Sequence, residues 1–246
     1  MYQDFKYAIS DGICAGLNPV STELFAKFCP RFVDGTFVTI ELLLLSSALG
    51  FLLAVIWVLA RLSGWAVFSV PANIFVYCFR GTPLLVQLWI VYFGVGSLGE
   101  EGLGALWVFF KNPWAVGLLI LTLNTSAYVC EILRGGVANV DRGQMEAAMS
   151  IGMSWLNAMR RIMLPQALRI AWPAYGNELV LLMKGSALIS TITVLDLMGQ
   201  TRTVFARNFD LTSYAYAAVL YLILASLITL FVAGVQKHFS KTRVVK

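Results

Sequence analysis

The sequence predicts an all-α integral membrane protein with about five spanning helices, and three observations carry that expectation. Of its 246 residues, 59% are hydrophobic and 13% charged, too apolar a balance for a soluble domain. Several apolar runs reach the roughly 20 residues a helix needs to cross a hydrocarbon core. The basic residues stand beside those runs: Arg134, Arg142, Arg160, Arg161 and Arg169 surround one polar island, and Lys237, Lys241, Arg243 and Lys246 end the chain. By the positive-inside preference both regions belong in the cytoplasm, and an odd number of spans then puts the N-terminus outside.

In order along the chain, residues 1–34 mix Asp4, Lys6, Asp11, Pro19, Glu23, Lys27, Pro30 and Arg31 and read as an amphipathic, periplasmic lead-in. They lack the basic start, apolar core and small-residue cleavage site of a removable signal, so the mature chain is expected to keep Met1. The first span runs from Thr36 to Ala60 and is closed by Arg61, with Glu41 near its start read as structural, within snorkelling reach of the interface. Residues 65–79 are interrupted by Pro71 and Asn73. Were they to cross, the next helix would cross back within a two-residue gap and leave Arg80 on the wrong side, so they are laid along the cytoplasmic interface. Thr82 as N-cap and Pro83 at the first helical position start the second span, 83–98. A periplasmic connection, 99–112, leads to the third span, 113–132. The fourth stretch, 170–198, contains Pro173, Gly176 and a break at Lys184-Gly185-Ser186. The fifth, 213–235, begins with Tyr214 and Tyr216 as interfacial anchors.

Composition also bounds the chemistry. The net charge of +5 is accounted for by topology, so no nucleic-acid partner is needed. His238 is the single histidine, which leaves no His/Cys metal cluster and no Ser/His/Asp triad. No GxxxxGK[ST] is present, so the chain supplies no nucleotide site. No catalytic residue, cofactor site or metal site is expected. Cys78 and Cys130 lie in or against the membrane. Cys14 and Cys29 share the N-terminal segment, and whether they are bonded is open, since sequence does not show their separation.

Two polar helix faces are unfit for lipid. In the third span Asn124, Tyr128 and Glu131 follow at steps of four and three residues and share one face. Carboxylates and amides at membrane depth are costly unless they meet protein or a watery cavity. For Glu131 two readings stand side by side: it lines a cavity, or it pairs with Arg134 one turn on. The fourth stretch holds Asn177, Glu178, Lys184, Ser186, Ser190, Thr191, Thr193 and Asp196. A break at Gly185 and Ser186 is where a transporter helix frees backbone groups for substrate. Asn124, Tyr128, Glu131, Asn177, Glu178, Lys184 and Ser186 are therefore the expected substrate pathway.

The polar island, residues 141–165, is the stretch the rest is arranged around. Asp141 with Gln144 three residues on is an N-capping pattern. Met145, Ala148, Met149, Gly152 and Leu156 fall on one side of a helix. Gly152 is placed to end the first helical piece and Ser154 to cap the next. Small residues at 147, 148 and 152 admit a close partner surface, and Met149 and Met153 add adaptable apolar contact.

Glu146, Ala147, Ala148, Gly152, Ile162, Leu164 and Pro165 match the spacing EAA-xxx-G-x9-I-x-LP. The island thereby resembles the cytoplasmic EAA loop of the membrane-spanning subunits of bacterial ABC importers. RGTPLLVQ (80–87), AYVCEILRGGV (127–137), PQALRIAWPAYGNE (165–178) and Lys-x-Ser-x-Leu (184–188) are similar to permeases of the polar-amino-acid branch. Members often carry Lys-Asp/Asn-Thr/Ser-Ser-Leu at the last of these, where this chain has Lys-Gly-Ser-Ala-Leu. GNELVLLMKGSALIS (176–190) looks nearer to the subunits serving histidine, arginine, ornithine, lysine or opines than to glutamine-type ones.

The resemblance covers about residues 35–236. It implies a type I importer permease fold in a bacterial inner membrane, with a basic tail at 237–246. It implies a second, different permease as partner, two ATPase subunits that bind ATP-Mg and hydrolyse it, a periplasmic binding protein and an amino-acid substrate. Glu146, Ala147, Ala148, Met149, Gly152, Met153 and Leu156 would pass the ATPase's closure to the spanning helices. Glu131 and Glu178 would neutralise a cationic side chain. A neutral polar substrate such as glutamine, a non-transporting signalling or assembly subunit, and a secondary transporter are the competing readings. The last needs its own ion-coupling residues and more spans or an inverted repeat.

Overall fold

The computed structural model describes residues 12–15 and 23–241, and these are mostly helical with no strand among them. The expectations placed on Asp4, Lys6, Asp11, Pro19, Arg243 and Lys246 lie outside the described residues.

Helix α1 (Glu23–Leu62) starts well before the expected Thr36. Pro30 lacks an N–H and argues for a break, but packing overrides it. Cys29 and Phe32 are 1% and 0% exposed, and Cys29 is disulfide-bonded to Cys14 with their Cα atoms 5.8 Å apart. The last part of the expected lead-in is thus one helix with the span.

Helix α2 (Ala66–Gly81) ends just before the helical run Leu84–Phe110. Pro83 breaks the helix there by forcing Thr82 to extended backbone, φ −117° and ψ 143°. The Thr82 hydroxyl donates back to the Cys78 carbonyl at 2.8 Å. Pro83, not Thr82, is the N-cap of α3 (Leu84–Trp89). A π-helical turn, Ile90–Val95, and short pieces that include α4 (Gly99–Leu103) and α5 (Trp107–Phe110) follow, so much of the expected connection is helical.

Helix α6 (Pro113–Ala138) leads to α7 (Arg142–Ser150) and α8 (Trp155–Ala158). Beyond a π-helical turn comes α9 (Leu164–Ser186), which changes to 3-10 geometry at Ala187. The change falls beside the expected break. Then follow α10 (Leu197–Asn208) and α11 (Thr212–Lys241). Helices α1, α6 and α11 are long and apolar enough to cross a membrane, and two bent pairs, 66–110 and 155–208, bring the number to as many as five.

Two compact units divide the chain, the first of Met1–Ser46, Pro83–Leu121 and Leu182–Ala225, the second of Ser47–Thr82, Thr122–Leu181 and Ser226–Lys246. In the first, Phe28, Phe32, Leu197 and Val204 form a core with Phe25, Tyr216, Leu220 and Tyr221 against it. Tyr216 sets its edge on Phe25 at 5.1 Å, so this expected interfacial anchor turns inward. Asp196 caps α10 by accepting from Gly199 N at 2.9 Å. Leu197 N donates to the Thr39 hydroxyl at 3.1 Å. That joint needs a glycine at 35, where a Cβ would stand 2.8 Å from Leu197 Cα.

In the second unit Ala54, Val58, Val76, Ala127, Val129 and Cys130 are buried, with Trp57 stacked on Phe75 at 4.4 Å. Lipid is as apolar as leucine, so close packing and hydrogen bonds, not hydrophobic transfer, hold such helices together. Gly136 shows it: a Cβ there would lie 2.6 Å from the Ala167 carbonyl oxygen. The outer residues remain apolar, as at Leu52, Ile56 and Leu59 of α1, each 60% or more exposed.

Candidate functional site

Five of the seven expected pathway residues belong to the second unit. Glu178 is 6% exposed and accepts from the Thr125 hydroxyl at 3.1 Å. Asn124 donates to the Phe79 carbonyl at 3.4 Å. Tyr128, half-buried, lies under the Arg80 guanidinium, 5.4 Å from its ring centroid. Asn177 is exposed although its neighbour Glu178 is buried, as a helical step of about 100° dictates.

Of the two readings of Glu131, the structure realises pairing and extends it. Oε1 accepts from Arg134 Nε at 2.9 Å and from Arg134 Nη2. Oε2 accepts from Arg61 Nη1 at 2.5 Å, and Arg80 Nη1 stands 3.9 Å away. Arg61 Nε also donates to Asn73 Oδ1 at 2.7 Å. Both carboxylate oxygens are therefore engaged by the protein's own cations. Arg61, Asn73, Arg80 and Thr125 were missed in the sequence. Arg61 lies 70 residues from Glu131, so no local spacing signals the pair.

Lys184 and Ser186 belong to the first unit. Lys184 is exposed. Ser186 is 0% exposed, and its hydroxyl donates to the Met183 carbonyl at 2.7 Å. That hydroxyl bonds to its own helix, at the point where α9 changes to 3-10 geometry.

Within residues 141–165, Asp141 caps α7 as expected, accepting from Gly143 N at 2.9 Å. Gln144 does not close a capping box; its Oε1 accepts from Gln166 Nε2 at 3.4 Å. Gly152 ends the first piece with φ +84°. Ser154 occupies the next N-cap position without a side-chain hydrogen bond. Glu146, Ala147, Met149, Gly152 and Leu156 are exposed and Met153 half-buried.

Ala148 is 2% exposed and is no part of an outward face. It follows Met145 by one turn, and Met145 packs on Val140, Met163 and Ala167. The outward apolar residues include two that the spacing did not single out, Ile151 at 78% and Trp155 at 58% exposed.

Residues 46–244 match the family model described as the binding-protein-dependent transport system inner membrane component. The nopaline transport system permease protein of Agrobacterium fabrum is 39% identical over 217 residues, spanning 87% of this chain and 86% of that protein. The histidine/lysine/arginine/ornithine transport system permease protein of Escherichia coli is 42% identical over 203 residues, spanning 80% of this chain and 84% of the relative. Among solved structures, an amino acid ABC transporter crystallised with histidines superposes with a TM-score of 0.77 at 30% identity, over 89% of this chain and 100% of that one. An inward-facing methionine ABC transporter, at 20% identity and TM-score 0.68 over 89% of this chain and 99% of that one, shares the fold.

Proposed function

Since the chain belongs to the family of inner membrane components of binding-protein-dependent transport systems, we propose that it is a permease subunit of an ABC importer for a basic amino acid or opine. The relatives that carry nopaline and histidine, lysine, arginine or ornithine support the substrate class. Glu178 carries the finer reading. It is a carboxylate at membrane depth, 6% exposed, hydrogen-bonded by a neutral hydroxyl. Such a group invites a cation. Asn124, next to the Thr125 that holds Glu178, and Tyr128, about one turn along α6, supply polar contacts, whereas Glu131 serves the fold through Arg61 and Arg134.

The chain works beside a second permease, two ATPase subunits and a periplasmic binding protein, and leaves ATP hydrolysis to the ATPases. Met149, Ile151, Trp155 and Leu156 form the outward apolar surface that docks on the ATPase. The N-terminus faces the periplasm, in keeping with the Cys14–Cys29 disulfide, because such bonds persist in oxidising compartments.

Uptake of arginine and of glutamine by proteoliposomes holding the complete transporter tests this reading. Glu178→Gln is expected to lower arginine uptake about tenfold more than glutamine uptake, the loss of one charge-assisted contact. Equal loss for both substrates would remove the charge-matching role. Preferred uptake of glutamine by the wild type would assign a neutral substrate instead.

A further inference from the structure

The charges around Glu131 do not balance. One carboxylate faces three guanidinium groups, those of Arg61, Arg80 and Arg134. Arg61 and Arg134 occupy its two oxygens with hydrogen bonds. Arg80, at 3.9 Å, is beyond hydrogen-bond distance, and its side chain is 41% exposed. It rests on the Tyr128 ring, and its guanidinium donates no hydrogen bond to the described residues.

Its place against α6, over Tyr128, gives that charge a direction. Thr125, Tyr128 and Glu131 follow at steps of three residues, about 4.5 Å of rise each. Glu131 is filled, Tyr128 carries Arg80, and Thr125 holds Glu178. A fork of donors thus stands about one turn from a buried carboxylate with Asn124 beside it, the amide reaching Phe79, the neighbour of Arg80.

We infer that Arg80 reads the carboxylate of the carried molecule while Glu178 reads its cationic end, so that the second unit recognises a zwitterion by both charges. This rests on the reading above that a basic amino acid or opine is carried. The chemistry fits: a guanidinium offers a planar pair of N–H groups matched to a carboxylate, which a point-charge ammonium does not. Arg61 and Arg134 keep Glu131 from neutralising Arg80, which leaves that fork for an incoming anion. The rival role is a fixed charge that anchors α2 at the membrane interface, which gives no discrimination between ligands.

The test is equilibrium binding of labelled arginine to the purified permease–ATPase complex in lipid nanodiscs, without binding protein, competed by arginine or by agmatine. Agmatine keeps the guanidinium and lacks the carboxylate. Wild type is expected to bind arginine tenfold or more tighter than agmatine. Arg80→Gln is expected to bring arginine down to the agmatine value and leave agmatine unchanged. Arg80→Lys, which keeps the charge, is expected to restore part of the difference; where Arg80→Gln does not assemble, the arginine-to-agmatine ratio of Arg80→Lys alone decides. A ratio equal to wild type in either variant, or equal loss for both ligands in Arg80→Gln, overturns the inference. Binding of no basic amino acid by the wild-type complex would instead refute the substrate class on which it rests.

Discussion

Two glutamates of this chain meet opposite surroundings. Glu178 and Glu131 are both carboxylates in apolar helices, yet one is hydrogen-bonded by a threonine and the other is held by two arginines. Glu131→Gln leaves Arg61, Arg80 and Arg134 facing one another, at a cost of about 1–3 kcal/mol once partial exposure is discounted. It is expected to lower the thermal midpoint of the purified complex and to reduce arginine and glutamine uptake in parallel. Selective loss of arginine uptake in that variant would return Glu131 to the pathway. Gly136 makes a second such test. A methyl there meets the Ala167 carbonyl oxygen at 2.6 Å, whereas at Gly135 it meets nothing within 4 Å. Gly136→Ala is expected to destabilise by about 1–3 kcal/mol and Gly135→Ala to be neutral or mildly stabilising, read by thermal unfolding of the two variants in detergent.

Among the elements, α7 and α8 sort the motif residues by face. Met149 and Leu156 point outward while Ala148 points in. Met149→Asp and Leu156→Asp are expected to release the ATPase on affinity purification and leave the permease's thermal midpoint within about 2 °C, as surface substitutions do. Ala148→Asp buries an unpaired charge and is expected to lower that midpoint. Retention of the ATPase by both outward variants would move the docking surface elsewhere. Spacing made this loop visible in the sequence, and the capping role of Asp141 and the stop at Gly152 were legible with it. Its inner and outer sides were not. A helix of nine residues has apolar groups on both, and only its packing on Val140, Met163 and Ala167 distinguishes them.

The whole molecule is tied at its N-terminal end by the Cys14–Cys29 bond. Closing a loop with a sequence separation of 15 removes chain entropy worth about 2–4 kcal/mol. Reductant is expected to lower the thermal midpoint of the wild-type complex and leave Cys14→Ala unaffected. In Cys29→Ala, the freed Cys14 is expected to react with a membrane-impermeant maleimide added outside spheroplasts. Labelling only after the membrane is opened would reverse the proposed orientation.

What the sequence determined by itself was the class of fold, the long apolar helices and the position of the polar island, because these depend on composition, length and local spacing. It also placed the proline break at 82–83 and the helix break beside Ser186 to within a residue or two. Tertiary structure decided the rest: that α1 runs through Pro30, that Ser186 serves its own helix, that Ala148 faces inward and that Arg61 takes a glutamate 70 residues away. Local patterns record which groups cannot face lipid. Which partner relieves each of them depends on contacts between segments remote in the chain, and no periodicity carries that information.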